Sequence, residues 1–247
     1  MRRGTRSRTC APASFRDPER GAVTSSDAKV AAVFFDLFGT LLSLAPLDEA
    51  CERIAPGRGA LLAARWRARQ LEATWLRTAM DRWADFDVVT QDALQLTIAE
   101  LGIESPSDLE VIADTFAQLP LVPEGADAVQ RLHEAGVQTG ILTNSSSATL
   151  DRVAARIDLP IDHRLSVDAA RHFKPHPSVY RLAVDATGLP PKRIGVVTAN
   201  GWDAAGASAF GFRVAWLRTS PAASMPAVGV PQPVTATWPD IPGLFTS

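Results

Sequence analysis

The 247-residue sequence has little cysteine, little tyrosine and almost no net charge: two Cys, one Tyr and a formal charge of -2 at pH 7. Cys10 and Cys51 are too few and too far apart for a disulfide framework or a metal-ligand cluster, so a reducing cytoplasm is expected. The balanced charge gives no global attraction for nucleic acid or acidic lipid, which points to a small-molecule or protein partner. No apolar run approaches the roughly 20 residues that span a bilayer. The opening "MRRGTRSRTCAPASFRDPERG" lacks the apolar stretch of a secretory signal, and the pair Arg2 and Arg3 lacks the hydrophobic part of a twin-arginine one. His133, His163, His172 and His176 form no triad or zinc spacing and are expected on loops or the surface. What the chain does have is hydrophobic residues, at 46%, enough for a full-sized core.

Residues 1–28, rich in Arg, Ser, Pro and Gly without periodicity, are expected to form a disordered extension or to reflect a misassigned start site. "VAAVFFDL" then has the continuous apolar character of a strand buried on both faces, as in parallel sheets. A helical insertion follows over residues 43–118, in four segments: "LDEACERIA", "GALLAARWRARQLEATWLRTAMDRW", "TQDALQLTIAEL" and "SDLEVIADTFAQL". After "PLVPEG" the pattern alternates between helices and the strands "VQTGILTN", "HRLSVD", "RIGVVTAN" and "RVAWLRT". Such alternation predicts βα units, a parallel sheet covered on both sides, and an active site at the carboxyl ends of its strands. The expected fold is therefore α/β: a Rossmann-like core from residues 29–42 and 119–247, plus an inserted all-helical cap. The proline-rich closing segment leaves room for one edge strand.

Asp36, Thr143 with Asn144, and Thr198 with Asn200 all fall at strand ends. A lone strand-end acid would ordinarily cap the next turn. Gly39 and Thr40 instead permit a tight turn that turns Asp36 towards a cleft. Arg65, Arg67 and Arg69 compete as cations facing it; helical spacing puts Arg67, Leu71 and Trp75 on one face, a guanidinium beside an apolar strip. Lys174 stands before Pro175, and Pro177 opens the helix that carries Tyr180. Thr143 and Asn144 end a strand just before a helix start, a common anion seat.

In order, "DLFGTL" from Asp36, "ILTN" ending at Asn144, "FKP" around Lys174 and "TANGWDAAGA" from Thr198 resemble the haloacid dehalogenase superfamily. Within it, "WRARQLEATWLR" is similar to the cap helix of the (S)-2-haloacid dehalogenases. The resemblance covers roughly residues 31–245 and implies hydrolysis of short 2-haloalkanoic acids to 2-hydroxy acids with inversion. It implies no cofactor, no metal, halide as the second product, and a homodimer. By the same resemblance Asp36 is the nucleophile and forms an ester that water then cleaves. Arg67 steers the substrate and receives the halide, and Lys174 neutralises Asp36. Asp203 pairs with Lys174 and positions water together with Thr198 and Asn200; the base is Asp203 or the whole network. Leu37, Phe38, Thr40, Leu71, Phe86, Thr143, Asn144, Tyr180 and Trp202 are expected around the substrate. Positive charge is needed there because two unit charges about 4 Å apart repel by roughly 4 kcal/mol at an effective dielectric near 20.

Phe38 departs from the pattern. The superfamily's phosphatases carry there an acid that protonates the leaving alcohol, and the dehalogenases most often carry Tyr. Phenylalanine moves no proton, but a halide leaves without one. The ring can serve as pocket wall, as core, or as both. Threonine also replaces the family's usual serine at positions 143 and 198, adding methyl bulk. In "VVTANGWDAAGA" the magnesium-binding acid near the strand end is missing as well, so Asp203 and Asp36 alone would make a thin Mg²⁺ site. The alternatives are a Mg²⁺-dependent phosphatase of the same fold and a non-catalytic binding protein.

Overall fold

The computed structural model describes residues 29–104, 115, 116, 118–218 and 224–247. The expected N-terminal extension and most of the helix expected at "SDLEVIADTFAQL" lie outside these residues. Six strands, β1 (Ala32–Phe35), β2 (Gln138–Thr143), β3 (His163–Ser166), β4 (Ile194–Thr198), β5 (Arg213–Leu217) and β6 (Val234–Ala236), form one sheet. Their order is β3-β2-β1-β4-β5-β6 and every neighbouring pair is parallel. The apolar run that announces β1 becomes a central strand with all four residues buried, and the closing segment supplies edge strand β6. Helices α1 (Ala45–Ile54), α2 (Gly59–Ala79) and α3 (Phe86–Glu100) lie between β1 and the rest of the sheet in sequence. They pack on one another as a helical cap, α1 on α2 and α2 on α3. Further helices among the described residues are α4 (Pro123–Glu134), α5 (Ser147–Ala154), α6 (Pro177–Thr187), α7 (Gly201–Phe210) and α8 (Ile241–Thr246). Among them α4 packs on β2, α5 and α6 on β3, and α7 on β4 and β5.

Local chemistry moves some helix ends from where the sequence pattern sets them. Apolar spacing carries α2 on to Trp83, but the helix stops at Ala79, and Asp81 takes a left-handed conformation with φ 55°. Helix α3 starts four residues before "TQDAL", because the Asp85 carboxylate accepts a 2.7 Å hydrogen bond from the amide of Asp87 and caps it. His176 likewise caps α6 through its ring, which accepts from the amide of Ser178. No helix among the described residues is long and apolar enough to cross a membrane.

Register aligns the strand ends. Phe35 pairs with Ile141 on one side and Val197 on the other, and the amide of Asp36 continues the ladder by donating to the Val197 carbonyl at 3.0 Å. Asp36, Thr143 and Thr198 therefore emerge side by side at the carboxyl edge. The chain then reverses at Gly39, whose φ of +78° L-residues with side chains rarely adopt. That turn leaves the Asp36 carboxylate facing the cap.

Candidate active site

Asp36 is 6% exposed and is surrounded by donors. Its Oδ2 accepts from Asn200 Nδ2 at 2.7 Å, from the Thr40 hydroxyl at 3.0 Å and more weakly from the Thr198 hydroxyl at 3.5 Å; its Oδ1 accepts from Lys174 Nζ at 3.2 Å. Thr40 and Thr198 are held in turn, since their hydroxyls accept from the amides of Ala199 and Asn200. The carboxylate thus has a fixed direction, with the donors contributed by three separate chain segments.

Behind it lies a buried charge cluster. Lys174 Nζ also donates to Asp203 Oδ2 at 2.8 Å, and the Tyr180 hydroxyl donates to Asp203 Oδ1 at 2.8 Å. The peptide bond between Lys174 and Pro175 is cis, and the Lys174 amide donates to Asn144 Oδ1 at 2.9 Å. A Cβ on Gly206 would meet the Tyr180 hydroxyl at 2.4 Å, so glycine is what lets α7 carry Asp203 this close. Burial by itself would weaken the Lys174 ammonium, but the charges of Asp203 and Asp36 outweigh it and raise its pKa. Burial raises the pKa of Asp203, with Lys174 opposing and the Asp36 charge adding to the rise. Tyr180 is pushed well above its ordinary value by burial and by Asp203, so it remains a hydrogen-bond donor. Asp203 is therefore a better proton acceptor than an exposed carboxylate.

The cap supplies the facing wall. Arg67 and Leu71 from α2 and Phe86 from α3 meet Asp36, Phe38, Thr143, Asn144, Asn200 and Trp202 around a cavity of about 20 Å³. That is space for about one water. Burial lowers the pKa of Arg67 while the Asp36 charge raises it; a guanidinium nevertheless stays charged at any physiological pH. Among the described residues Arg67 makes no ion pair, whereas Arg69 is spent on Glu72 at 2.6 Å and Glu100 at 2.7 Å. Of the competing arginines, Arg67 is the one that lines the cavity. Among the described residues the buried Nδ2 of Asn144 has no hydrogen-bond partner.

The expected residues therefore separate into two layers. Asp36, Phe38, Arg67, Leu71, Phe86, Thr143, Asn144, Asn200 and Trp202 line the cavity. Thr40, Lys174, Thr198 and Asp203 stand behind it, and so does Tyr180, which touches Asp203 rather than the space a substrate would fill. The Leu37 side chain is wholly buried in the core. Phe38 is core and wall together: its ring packs edge-on against Phe116, centroids 5.3 Å apart, and borders the cavity.

Trp75, which shares a helix face with Arg67 and Leu71, packs edge-on against Trp202 at 6.0 Å and joins cap to core. Further cap-to-core joints are invisible in the sequence, because single polar residues on helices carry no signature. The Thr78 hydroxyl accepts from the amide of Phe173 at 3.0 Å. Asp87 accepts from the hydroxyls of Ser146 at 2.7 Å and Thr149 at 3.1 Å.

The two acids offer little to a magnesium ion. Asp203 already serves Lys174 and Tyr180, and Asp36 serves Lys174, Thr40 and Asn200, with an ammonium standing between them. Among the described residues no group of three or more His, Cys, Asp or Glu could hold a metal ion. These residues do not suit an octahedral ion that needs several free oxygens.

Residues 30–211 match the haloacid dehalogenase-like hydrolase family. The chain belongs to that family. The haloacid dehalogenase-like chain is 37% identical over 191 residues to an (S)-2-haloacid dehalogenase of Pseudomonas putida, covering 76% of this chain and 84% of that one. It superposes on a crystal structure of an L-2-haloacid dehalogenase with a TM-score of 0.83 and 31% identity, covering 89% of this chain and 100% of the other. It also superposes on the L-2-haloacid dehalogenase of Xanthobacter autotrophicus with chloropropionic acid covalently bound. That match has a TM-score of 0.78 and 34% identity and covers 87% and 98% of the two chains. This haloacid dehalogenase-like protein is thus a hydrolase of a Rossmann-like core and a helical cap.

Proposed function

We propose that this hydrolase is an (S)-2-haloacid dehalogenase. The observation that carries the proposal is the Asp36 carboxylate and the Arg67 guanidinium lining one small cavity walled by Leu71, Phe86 and Trp202. A carboxylate held by several donors is a ready nucleophile, a guanidinium outside any ion pair is a ready halide acceptor, and apolar walls limit the water around both. The covalently bound chloropropionic acid in the Xanthobacter autotrophicus relative supports a covalent route.

In the first step an oxygen of Asp36 attacks the carbon bearing the halogen from the side opposite it. The carbon-halogen bond breaks, and halide leaves with its electron pair towards Arg67 and the free Nδ2 of Asn144. Water then attacks the carboxyl carbon of the resulting ester, not the substrate carbon. The acyl C–O bond breaks, Asp36 returns as a carboxylate carrying the water oxygen, and the 2-hydroxy acid leaves as an alkoxide that takes up the proton drawn from that water. The single displacement at the substrate carbon leaves net inversion. Asp203, with its raised proton affinity, or its network with Thr198 and Asn200, takes the water's proton. Lys174 offsets the crowding of negative charge, Tyr180 orients Asp203, and Thr40 and Asn200 aim the nucleophile. Thr143 and Phe38 border the substrate, and Leu37 serves only through its backbone. Phe38 cannot protonate a leaving group, and a halide needs no proton.

We assign residues 29–42 and 119–247 to the core and 43–118 to the cap. The enzyme is proposed to act as a homodimer in the cytoplasm, a setting in which the buried free thiol of Cys51 stays reduced. A cavity of about 20 Å³ is too small for a 2-haloacid, so cap and core part at Thr78, Asp87 and Trp75 to admit it. The test is halide release from (S)-2-chloropropionate in excess EDTA. Undiminished release with an inverted 2-hydroxy product is expected; a strict Mg²⁺ requirement would contradict the proposal.

A further inference from the structure

Arg67 must present its charge to the cavity, yet a long flexible side chain has no fixed direction of its own. The structure supplies one through a buried polar chain. An Nη1–H of Arg67 donates to Gln70 Oε1, one helical turn on along α2. Gln70 is wholly buried, and its Nε2 donates to the Thr90 hydroxyl at 2.5 Å. The Thr90 hydroxyl gives its own proton to the Phe86 carbonyl at 2.7 Å. The Thr90 carbonyl accepts from Trp66 Nε1 at 2.9 Å.

Each link fixes the polarity of the next. Thr90 has a single hydroxyl proton and spends it on Phe86, so towards Gln70 it can only accept. Gln70 must then turn its NH₂ to Thr90 and its oxygen to Arg67. The acceptor that Arg67 meets is also neutral. A carboxylate in that place would orient the guanidinium equally well but would cancel the charge that a halide or a substrate carboxylate needs. An amide engages one of the five N–H donors and leaves the charge and the other donors to the cavity. Phe86, at the far end of the chain, lines the same cavity, so one strut places both the cation and part of the apolar wall.

We propose that Gln70, locked by Thr90, is a positioning residue of this site: it orients the Arg67 guanidinium towards the departing halide without neutralising it. The inference rests on the dehalogenase reading and goes beyond it in assigning the two neutral residues that make Arg67 competent.

The test uses Gln70→Leu, Gln70→Glu and Thr90→Val in the full chain, with turnover of (S)-2-chloropropionate, bromide inhibition and the urea midpoint measured for each. Gln70→Leu is expected to lower kcat/KM about 10- to 100-fold and to weaken bromide inhibition, the range for losing one preorganised contact in a buried site. Thr90→Val, which keeps the shape and removes the acceptor, should change the same two quantities in the same direction. Gln70→Glu should be the most damaging, because it both neutralises Arg67 and places two acceptors against each other at Thr90. If Gln70→Leu and Thr90→Val lower the urea midpoint while folded enzyme keeps wild-type turnover and bromide inhibition, Gln70 is a packing residue and the inference is wrong. Wild-type protein that releases no halide would instead overturn the dehalogenase reading and this inference with it, an outcome distinct from active wild type with indifferent variants.

Discussion

Asp36→Asn is expected to reduce turnover of (S)-2-chloropropionate by about 10⁴-fold or more, the scale seen when a covalent nucleophile is removed. The amide keeps the size of the carboxylate but not its charge or its acceptor set. Lys174 Nζ, Thr40 and Asn200 all direct donors at Asp36, and Asn can offer an oxygen to only one side of that ring of donors. The NH₂ on the other side meets a donor. The variant therefore loses the nucleophile and distorts the cradle that aims it. Steady-state halide release, with active-site burst amplitude as a second readout, measures the effect. Turnover within tenfold of wild type would remove Asp36 from the chemistry.

Lys174→Leu is expected to be the most destabilising single change at the site. Lys174 is 1% exposed, Asp203 0% and Asp36 6%, so the substitution leaves two buried carboxylates without their cation. Breaking a buried pair by removing one partner costs about 3–5 kcal/mol. The pH dependence has a definite sign. Burial already raises the pKa of Asp203 against the opposing charge of Lys174, and removing that charge raises it further. A carboxylate whose folded pKa lies above its unfolded one destabilises the fold when ionised, and the penalty fades as falling pH protonates it. The stability deficit of Lys174→Leu relative to wild type should thus be largest near neutral pH and shrink towards acid, as read by urea denaturation across that range. A deficit that is constant or grows on acidification would show that the ammonium does not hold the two acids.

Much of this is visible in the residues themselves. The continuous apolar run into Asp36 defines a central parallel strand, because only a strand covered on both faces can be apolar on both. The alternation of helix and strand after "PLVPEG" then predicts a parallel sheet, whose carboxyl edge gathers Asp36, Thr143 and Thr198. Arg67 could be separated from Arg65 and Arg69 only in part by helical spacing. The cavity lining, which includes Arg67 but neither Arg65 nor Arg69, completes the distinction in three dimensions, with Arg69 engaged by Glu72 and Glu100.

What stays hidden has a common physical cause. Gln70, Thr78, Asp87 and Thr90 act through hydrogen bonds to partners up to 95 residues away in sequence, and nothing in a helical pattern separates a buried polar residue with a partner from a solvated one. Tyr180 is the converse case. It belongs to the site by motif but faces Asp203 from behind, a placement set by the close approach of α7 at Gly206. Helix ends shift for equally local reasons, as at Asp85, where a side-chain cap starts α3 earlier than apolar spacing alone does.

In the proposed reaction Asp36 forms the ester and water cleaves it at the carboxyl carbon. A single turnover in H₂¹⁸O, followed by mass analysis of the peptide containing Asp36 and of the hydroxy acid, tests it most directly. The expected result is ¹⁸O in the Asp36 carboxylate and an unlabelled product oxygen. Label in the first-turnover product with an unlabelled Asp36 would contradict it, since water would then have attacked the substrate carbon itself.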